Sequence, residues 1–273
     1  MIEKVEVRTV SGSLLTLQLD DASNGYAVAD IDGLDPVKAT IVSSSFAEMD
    51  GSQYLSSRRE ERNITFRIGF EPNYASMSVR SLRNNLYKFF IPKSYVKLRF
   101  YMIDGLIVEI SGRVESFEAP LFTQDPIANI SVLCFDPDFI ETTPIIVNGN
   151  TVATTTEFNI DYEGTTDTGF VFVLNVNRTL SAFTIYHHPP DGSLQLFDFA
   201  ASLLAGDVVT ISTVSGAKKV TRTRSGSSTS LLYAKSPQST WLELQNGSNG
   251  LRVYATGAAI PFTITYNDRY GGL

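Results

Sequence analysis

Cysteine is almost missing: one, Cys134, stands among 273 residues, so no disulfide can form within the chain. It lies in the apolar run Ile130-Ser131-Val132-Leu133-Cys134-Phe135, where a buried, inert thiol is expected. Only two histidines occur, His187 and His188. Neighbours on a strand point to opposite faces, so the pair does not make a metal site, and no second His or Cys cluster supports one. No apolar stretch approaches the ~20 residues of a membrane helix. The start, Met1-Ile2-Glu3-Lys4, has no basic region with an apolar run behind it, so no secretory signal and synthesis in a cytoplasm are expected. Positive charge is short as well: 22 Lys and Arg face 29 Asp and Glu, a net charge of −7. Residues 1–139 carry 14 against 19 and the remainder 8 against 10. Neither part is basic, which argues against a surface built to grip nucleic acid.

Signatures of chemistry are absent too. The chain has no GxSxG, P-loop, HExxH or dinucleotide fingerprint. Asp161 with Glu163 resembles a glycosidase pair in spacing alone, as many surface carboxylates do. No enzymatic activity, cofactor or metal is expected.

What is present is β-pattern. Ile64, Phe66, Ile68 and Phe70 alternate with polar residues, as in a half-buried strand. Asn24-Gly25 reads as a tight turn, and Asp104-Gly105 joins Val96–Phe100 to Leu106–Ile110 as a hairpin. One helix is predicted over Ser78–Phe90, where Val79, Leu82, Leu86 and Phe89 share a face; Ser76 or Ser78 caps it and Pro92 stops it. After Asp136-Pro137-Asp138-Phe139 the charge thins and Thr, Ser, Gly and Asn rise. Short strands then recur between turn signals at Gly206-Asp207, Ser215-Gly216, Asn246-Gly247 and Asn249-Gly250. The expected fold is mainly β in two domains: 1–139, with the helix and a hairpin, and 140–273, an antiparallel sandwich.

The order of several segments resembles a known family. Asp30-Ile31-Asp32-Gly33-Leu34-Asp35-Pro36 precedes Met49-Asp50-Gly51-Ser52-Gln53-Tyr54 and Arg62-Asn63-Ile64. Then come Ile110 to Ser116, Phe122-Thr123-Gln124-Asp125-Pro126 and Ile130 to Pro137. Later, Gly206 to Ser212, Trp241 to Asn249 and Tyr266 to Leu273 continue the likeness. Each segment is weak alone; their order resembles the distal tail protein (Dit) family of phages with long non-contractile tails. The resemblance implies an N-terminal β-sandwich belt domain, a galectin-like C-terminal sandwich and a homohexameric ring at the distal end of the virion's tail. It implies contacts with tail tube, tape measure and tail-tip hub proteins, with receptor-binding or fibre proteins as further partners, and DNA crossing the lumen. An acidic lumen wall would let DNA slide without sticking.

A closed ring needs two different patches per subunit, meeting head to tail. The mixed-charge segment Arg58-Arg59-Glu60-Glu61-Arg62 and the strand after it supply the expected interface: Arg58, Arg59, Arg62, Asn63, Thr65 and Arg67. Reversing the three arginines Arg58, Arg59 and Arg62 is expected to weaken the ring and spare the fold. The alternative function is a carbohydrate-binding module using Trp241, Glu243 and Asn246, although the His-Asn-Arg run of a galectin site is missing. Trp241 itself is read as a core anchor of the sandwich.

Overall fold

The computed structural model describes residues 1–47, 50–120 and 126–273. Met49 and Phe122 to Asp125 of the family-like segments lie outside the described residues. The chain divides into two compact units: residues 1–142 with 270–273, and residues 143–269. The return of 270–273 to the first unit departs from the contiguous 140–273 domain read from sequence. A break in composition marks where a chain leaves one core; it carries no trace of four residues coming back.

The first unit contains β1 (Ile2–Thr9), β2 (Leu14–Gln18), β3 (Tyr26–Asp32), β4 (Ala39–Ser44), β5 (Gln53–Arg59) and β6 (Arg62–Phe70). After helix α1 (Val79–Phe89) come β7 (Tyr95–Met102), β8 (Ile107–Glu118), β9 (Ile127–Cys134) and β10 (Phe139–Glu141). The main sheet runs β2-β1-β7-β8-β9-β6-β3, and β10 pairs with β8. Leu15 and Leu17 from one end of that order and Tyr26 from the other belong to one core cluster, so the sheet curls around its own apolar face. Period-two alternation places Ile64, Phe66, Ile68 and Phe70 inside. The helix closes the core with Leu82, Leu86 and Phe89. Ser78 caps it, its hydroxyl accepting from the Ser81 amide at 3.2 Å, which satisfies one orphan donor of the first turn. Asp104-Gly105 turns as expected, with Gly105 at φ 93°. Cys134 is fully buried, and burial pushes its thiol up to about 12, so it is protonated and inert.

The second unit comprises β11 (Ile145–Asn150), β12 (Phe158–Tyr162), β13 (Thr168–Gly169), β14 (Val171–Asn175), β15 (Leu180–His188) and β16 (Gln195–Leu203). These are followed by β17 (Val208–Ser212), β18 (Lys219–Arg224), β19 (Ser227–Ser230), β20 (Glu243–Leu244), β21 (Gly247–Tyr254) and β22 (Pro261–Tyr266). A six-stranded sheet, β11-β22-β14-β17-β18-β19, shares one core with a four-stranded sheet, β12-β21-β15-β16. Phenylalanines dominate that core: Phe183 stacks on Phe199 with centroids 4.8 Å apart, and Phe172 lies 5.3 Å from Phe262. Each such ring contributes about 1.5–3 kcal/mol by leaving water.

Two turn readings separate here. Gly206, Gly216 and Gly247 all adopt positive φ, as their turns require. Asn249-Gly250 is no turn; both residues lie inside β21, and Asn249 is fully buried. Its amide donates to the carbonyls of Gln245 and Gly247 at 2.8 and 2.9 Å, and its oxygen accepts from the Gln245 amide at 3.0 Å. An Asn-Gly pair signals a turn through its backbone freedom, and here the side chain's bonds to backbone fix an extended path.

Candidate assembly surface

The expected interface residues are scattered by the fold. Arg62 opens β6, yet its side chain is buried at 1% exposure. Its Nε donates to Pro137 O at 2.6 Å, Nη1 to Gly33 O and Asp35 O at 2.6 and 2.7 Å, and Nη2 to Gly271 O at 2.5 Å. The guanidinium also lies over the Phe139 ring, 4.5 Å from its centroid. Burial pulls its pKa down, while Cys134 and Asp138 pull it up. A cation this enclosed joins loops of its own unit and presents nothing to a neighbour. The expectation that a triple arginine reversal would spare the fold is therefore corrected: at Arg62 it would bury a carboxylate among carbonyl oxygens.

Arg59 is half exposed and grips the buried Asp138 with both nitrogens, one bond measuring 2.8 Å. Arg58 is exposed on β5, opposite Thr40. Asn63, Thr65 and Arg67 lie on β6, which pairs on one side with β3 and on the other with β9. From Thr65 to Gly69 the strand is paired on both sides and offers no free backbone edge, contrary to its expected role; the outward side chains remain. Thr65 and Arg67 line a polar groove of about 340 Å³ with Asp30, Asp32, Glu118 and Asn129. Asn63 is tied inside the unit, accepting from Ser131 Oγ at 2.8 Å.

A largely exposed hairpin is one that sequence reading passed over. Among the described residues, strands β4 and β5 pair only with each other, Ala39 opposite Arg59 through Ser44 opposite Gln53. All seven residues of β5 are exposed. The hairpin nevertheless carries large apolar side chains: Ile41 is 65% exposed, Tyr54 62%, Leu55 56% and Val42 47%, with Phe46 beyond β4 at 54%. Ile41 and Val42 are consecutive, so they point to opposite faces and both faces have apolar residues. An isolated two-stranded ribbon is marginal in water. Exposed apolar residues gathered on such a ribbon make it a candidate surface for another protein to cover. The detectable signal was Ile41-Val42 and Tyr54-Leu55 on either side of Asp50-Gly51, a hairpin pattern in which each face mixes apolar and polar residues.

In the second unit, the residues counted toward a sugar site are engaged with the protein itself. Glu243 pairs with Lys218 at 3.5 Å, and the Asn246 amide donates to Gly164 O at 2.9 Å. Trp241 packs against the core beside Phe197, their centroids 5.7 Å apart, with the Lys235 ammonium 5.6 Å from its own ring. His187 is buried against Asn249 at 3.0 Å, and burial lowers its pKa; His188, on the other face, pairs with Glu157 at 3.0 Å. Among the described residues no group of three or more His, Cys, Asp or Glu could hold a metal ion.

Comparison with known proteins follows the same division. Residues 163–270 match the family model described as siphovirus-type tail component, C-terminal domain. No curated protein matches the chain in sequence. Among solved structures, the Dit protein (gp 19.1) of phage SPP1, described as a paradigm of the hub adsorption apparatus in phages infecting Gram-positive hosts, superposes with a TM-score of 0.69. The identity is 12%, covering 97% of this chain and 98% of that one. A chain of the phage p2 baseplate in its activated conformation with Sr gives 0.47 at 9% identity, covering 96% and 97%. Its counterpart with Ca gives 0.48 at 10%, covering 97% and 98%. The likeness in fold rests on SPP1 Dit. The chain thus shares its fold with SPP1 Dit over nearly all its length, and its residues 163–270 match the model of the siphovirus-type tail component C-terminal domain.

Proposed function

We propose that this chain is a structural protein of the distal phage tail, whose first unit associates with copies of itself into a ring, a homohexamer in the Dit reading. The ring joins the tail tube to the tail-tip hub and leaves a channel for DNA, with tube, tape measure and hub proteins as neighbours. The observation that carries the reading is the β4–β5 hairpin, which bears exposed apolar residues on both faces and, among the described residues, pairs with no other strand. A ribbon that inserts between neighbours uses both faces at once, which a head-to-tail ring requires and a monomer does not. Arg58, exposed on the same hairpin, supplies charge at the rim of that contact. The net charge of −7 supports a channel wall to which DNA does not adhere.

Light scattering of the purified chain, with negative-stain imaging, tests this. A single assembled mass of several subunits and annular particles are expected. A monomer at every concentration up to the millimolar range would overturn self-assembly as an intrinsic property. No side chain in the second unit favours a carbohydrate-binding reading over this one.

A further inference from the structure

The root of the hairpin is held by a segment remote in sequence. The chain enters β4 through Gly33-Leu34-Asp35-Pro36, and three consecutive carbonyls of that entry are bonded from elsewhere. Arg62 takes those of Gly33 and Asp35; the Leu273 amide donates to Leu34 O at 3.0 Å. Arg62 in turn holds Gly271 O, and Leu34, Tyr270 and Leu273 pack against the same core. The fit is close. A Cβ on Gly272 would sit 2.7 Å from Pro36 Cδ and 2.9 Å from Pro36 N. Gly33 has φ 86°, and a Cβ there would stand 2.0 Å from Asn63 O. On the exit side, the Glu60 amide donates to Lys38 O at 3.0 Å, Arg59 binds Asp138, and Arg62 binds Pro137 O.

We infer that residues 270–273 act as a clasp that fixes the root of the β4–β5 hairpin and so makes self-assembly conditional on them. Without the clasp, a buried Arg62 loses one acceptor and Leu34 O loses its donor. A buried charge with an unmet bond draws water into the site, and the entry strand is freed at the same stroke. An arm that presents apolar surface on both faces then has no fixed direction, and the contacts it makes carry the cost of ordering it. During synthesis the clasp can close only after the second unit has been made. The arm is therefore positioned for partners late, which limits association of incomplete chains through exposed apolar surface.

The inference rests on the proposed self-assembly through this hairpin, and the experiment separates the two. Hydrogen exchange followed by mass spectrometry compares the full chain, a variant ending at Arg269, and Gly272→Ala, alongside light scattering. Trp241, the single tryptophan, lies in the second unit and reports its folding independently. At least tenfold faster exchange is expected in peptides covering 33–44 and 53–60 of the shortened variant. Exchange in β15–β17 and Trp241 emission should match the parent, and the assembled mass should be lost. Gly272→Ala should shift in the same direction by less, and it decides the matter if the shortened variant unfolds its whole first unit. Parent-like exchange at the hairpin root in both variants would overturn the clasp. A loosened root with undiminished assembly would overturn its link to association. A loosened root in a chain whose parent never assembles would uphold the clasp and remove the self-assembly reading instead.

Discussion

Replacing Arg62 by methionine keeps the length of the side chain and removes four hydrogen-bond donations at once, to Pro137, Gly33, Asp35 and Gly271. Each carbonyl left dry and unpaired costs about 1–3 kcal/mol. Arg62→Met should therefore lower unfolding stability by roughly 3 kcal/mol or more, read as a fall in the denaturant midpoint. Arg62→Lys should recover only part, since one ammonium cannot span four carbonyls set around a planar fork. A second buried charge governs acid behaviour. Asp207 is 1% exposed and accepts from Arg224 Nε and Nη2, both at 2.6 Å, and from the Leu204 amide at 2.9 Å. The Arg224 bonds hold its carboxyl down at about 2. A carboxylate depressed on folding stabilises above its unfolded pKa and loses that contribution as pH falls through the folded value. The second unit should lose on the order of 2 kcal/mol between pH ~4 and ~2, and Asp207→Asn should remove that acid step while lowering stability at pH 7. Urea titrations at pH 7, 4 and 2.5 measure both effects. His187 acts in the same direction nearer neutrality: burial depresses its pKa, so the unfolded chain takes up a proton below about 6.5 that the folded form resists.

At the scale of elements, a hairpin stabilised by partners should tolerate polar change alone and fail in association. Ile41→Thr with Leu55→Thr places β-branched residues at both positions, suited to strands, and removes exposed apolar area. Folding stability should change by about 0.5 kcal/mol or less, as for other exposed positions. The dissociation constant of the assembly should rise at least tenfold, measured by light scattering over a dilution series; an unchanged constant would take the hairpin out of the interface. What sequence revealed about elements followed from periodicity. Helix α1 was legible because Leu82, Leu86 and Phe89 repeat at helical spacing between Ser78 and Pro92. Strand β6 was legible because one face of Ile64–Phe70 is wholly apolar. The hairpin was not, because alternation identifies a strand by its contrast of faces, and Ile41-Val42 has none. Strand β16 is faint in the sequence for a related reason: Leu196 and Phe197 are consecutive, and Ala200-Ala201 lengthens the apolar run. Arg58 to Arg62 drew attention through charge, but a linear pattern does not show that Arg62 faces four carbonyls from 27 to 209 residues away.

For the whole molecule, the decisive feature is that one unit is continuous and the other is not. Residues 143–269 hold a complete two-sheet core whose strands all come from that span. Residues 1–142 lack Tyr270, which packs on their core, Gly271, which accepts from Arg62, and Leu273, which caps Leu34 O. A cut at the compositional break near residue 140 should thus give unequal halves. The fragment 143–269 should unfold cooperatively, with Trp241 emission shifting to the red in one denaturant step. The fragment 1–142 should be poorly soluble or loosely packed, because a buried arginine with an unmet bond and an uncovered core edge both favour the open state. Joining residues 270–273 to 1–142 through a flexible Gly-Ser linker should restore a cooperative transition, since closing even a long loop adds only a slowly growing entropic cost. Circular dichroism melts of the three polypeptides decide it: equal cooperativity in 1–142 with and without the added residues would show that the first unit is complete without them.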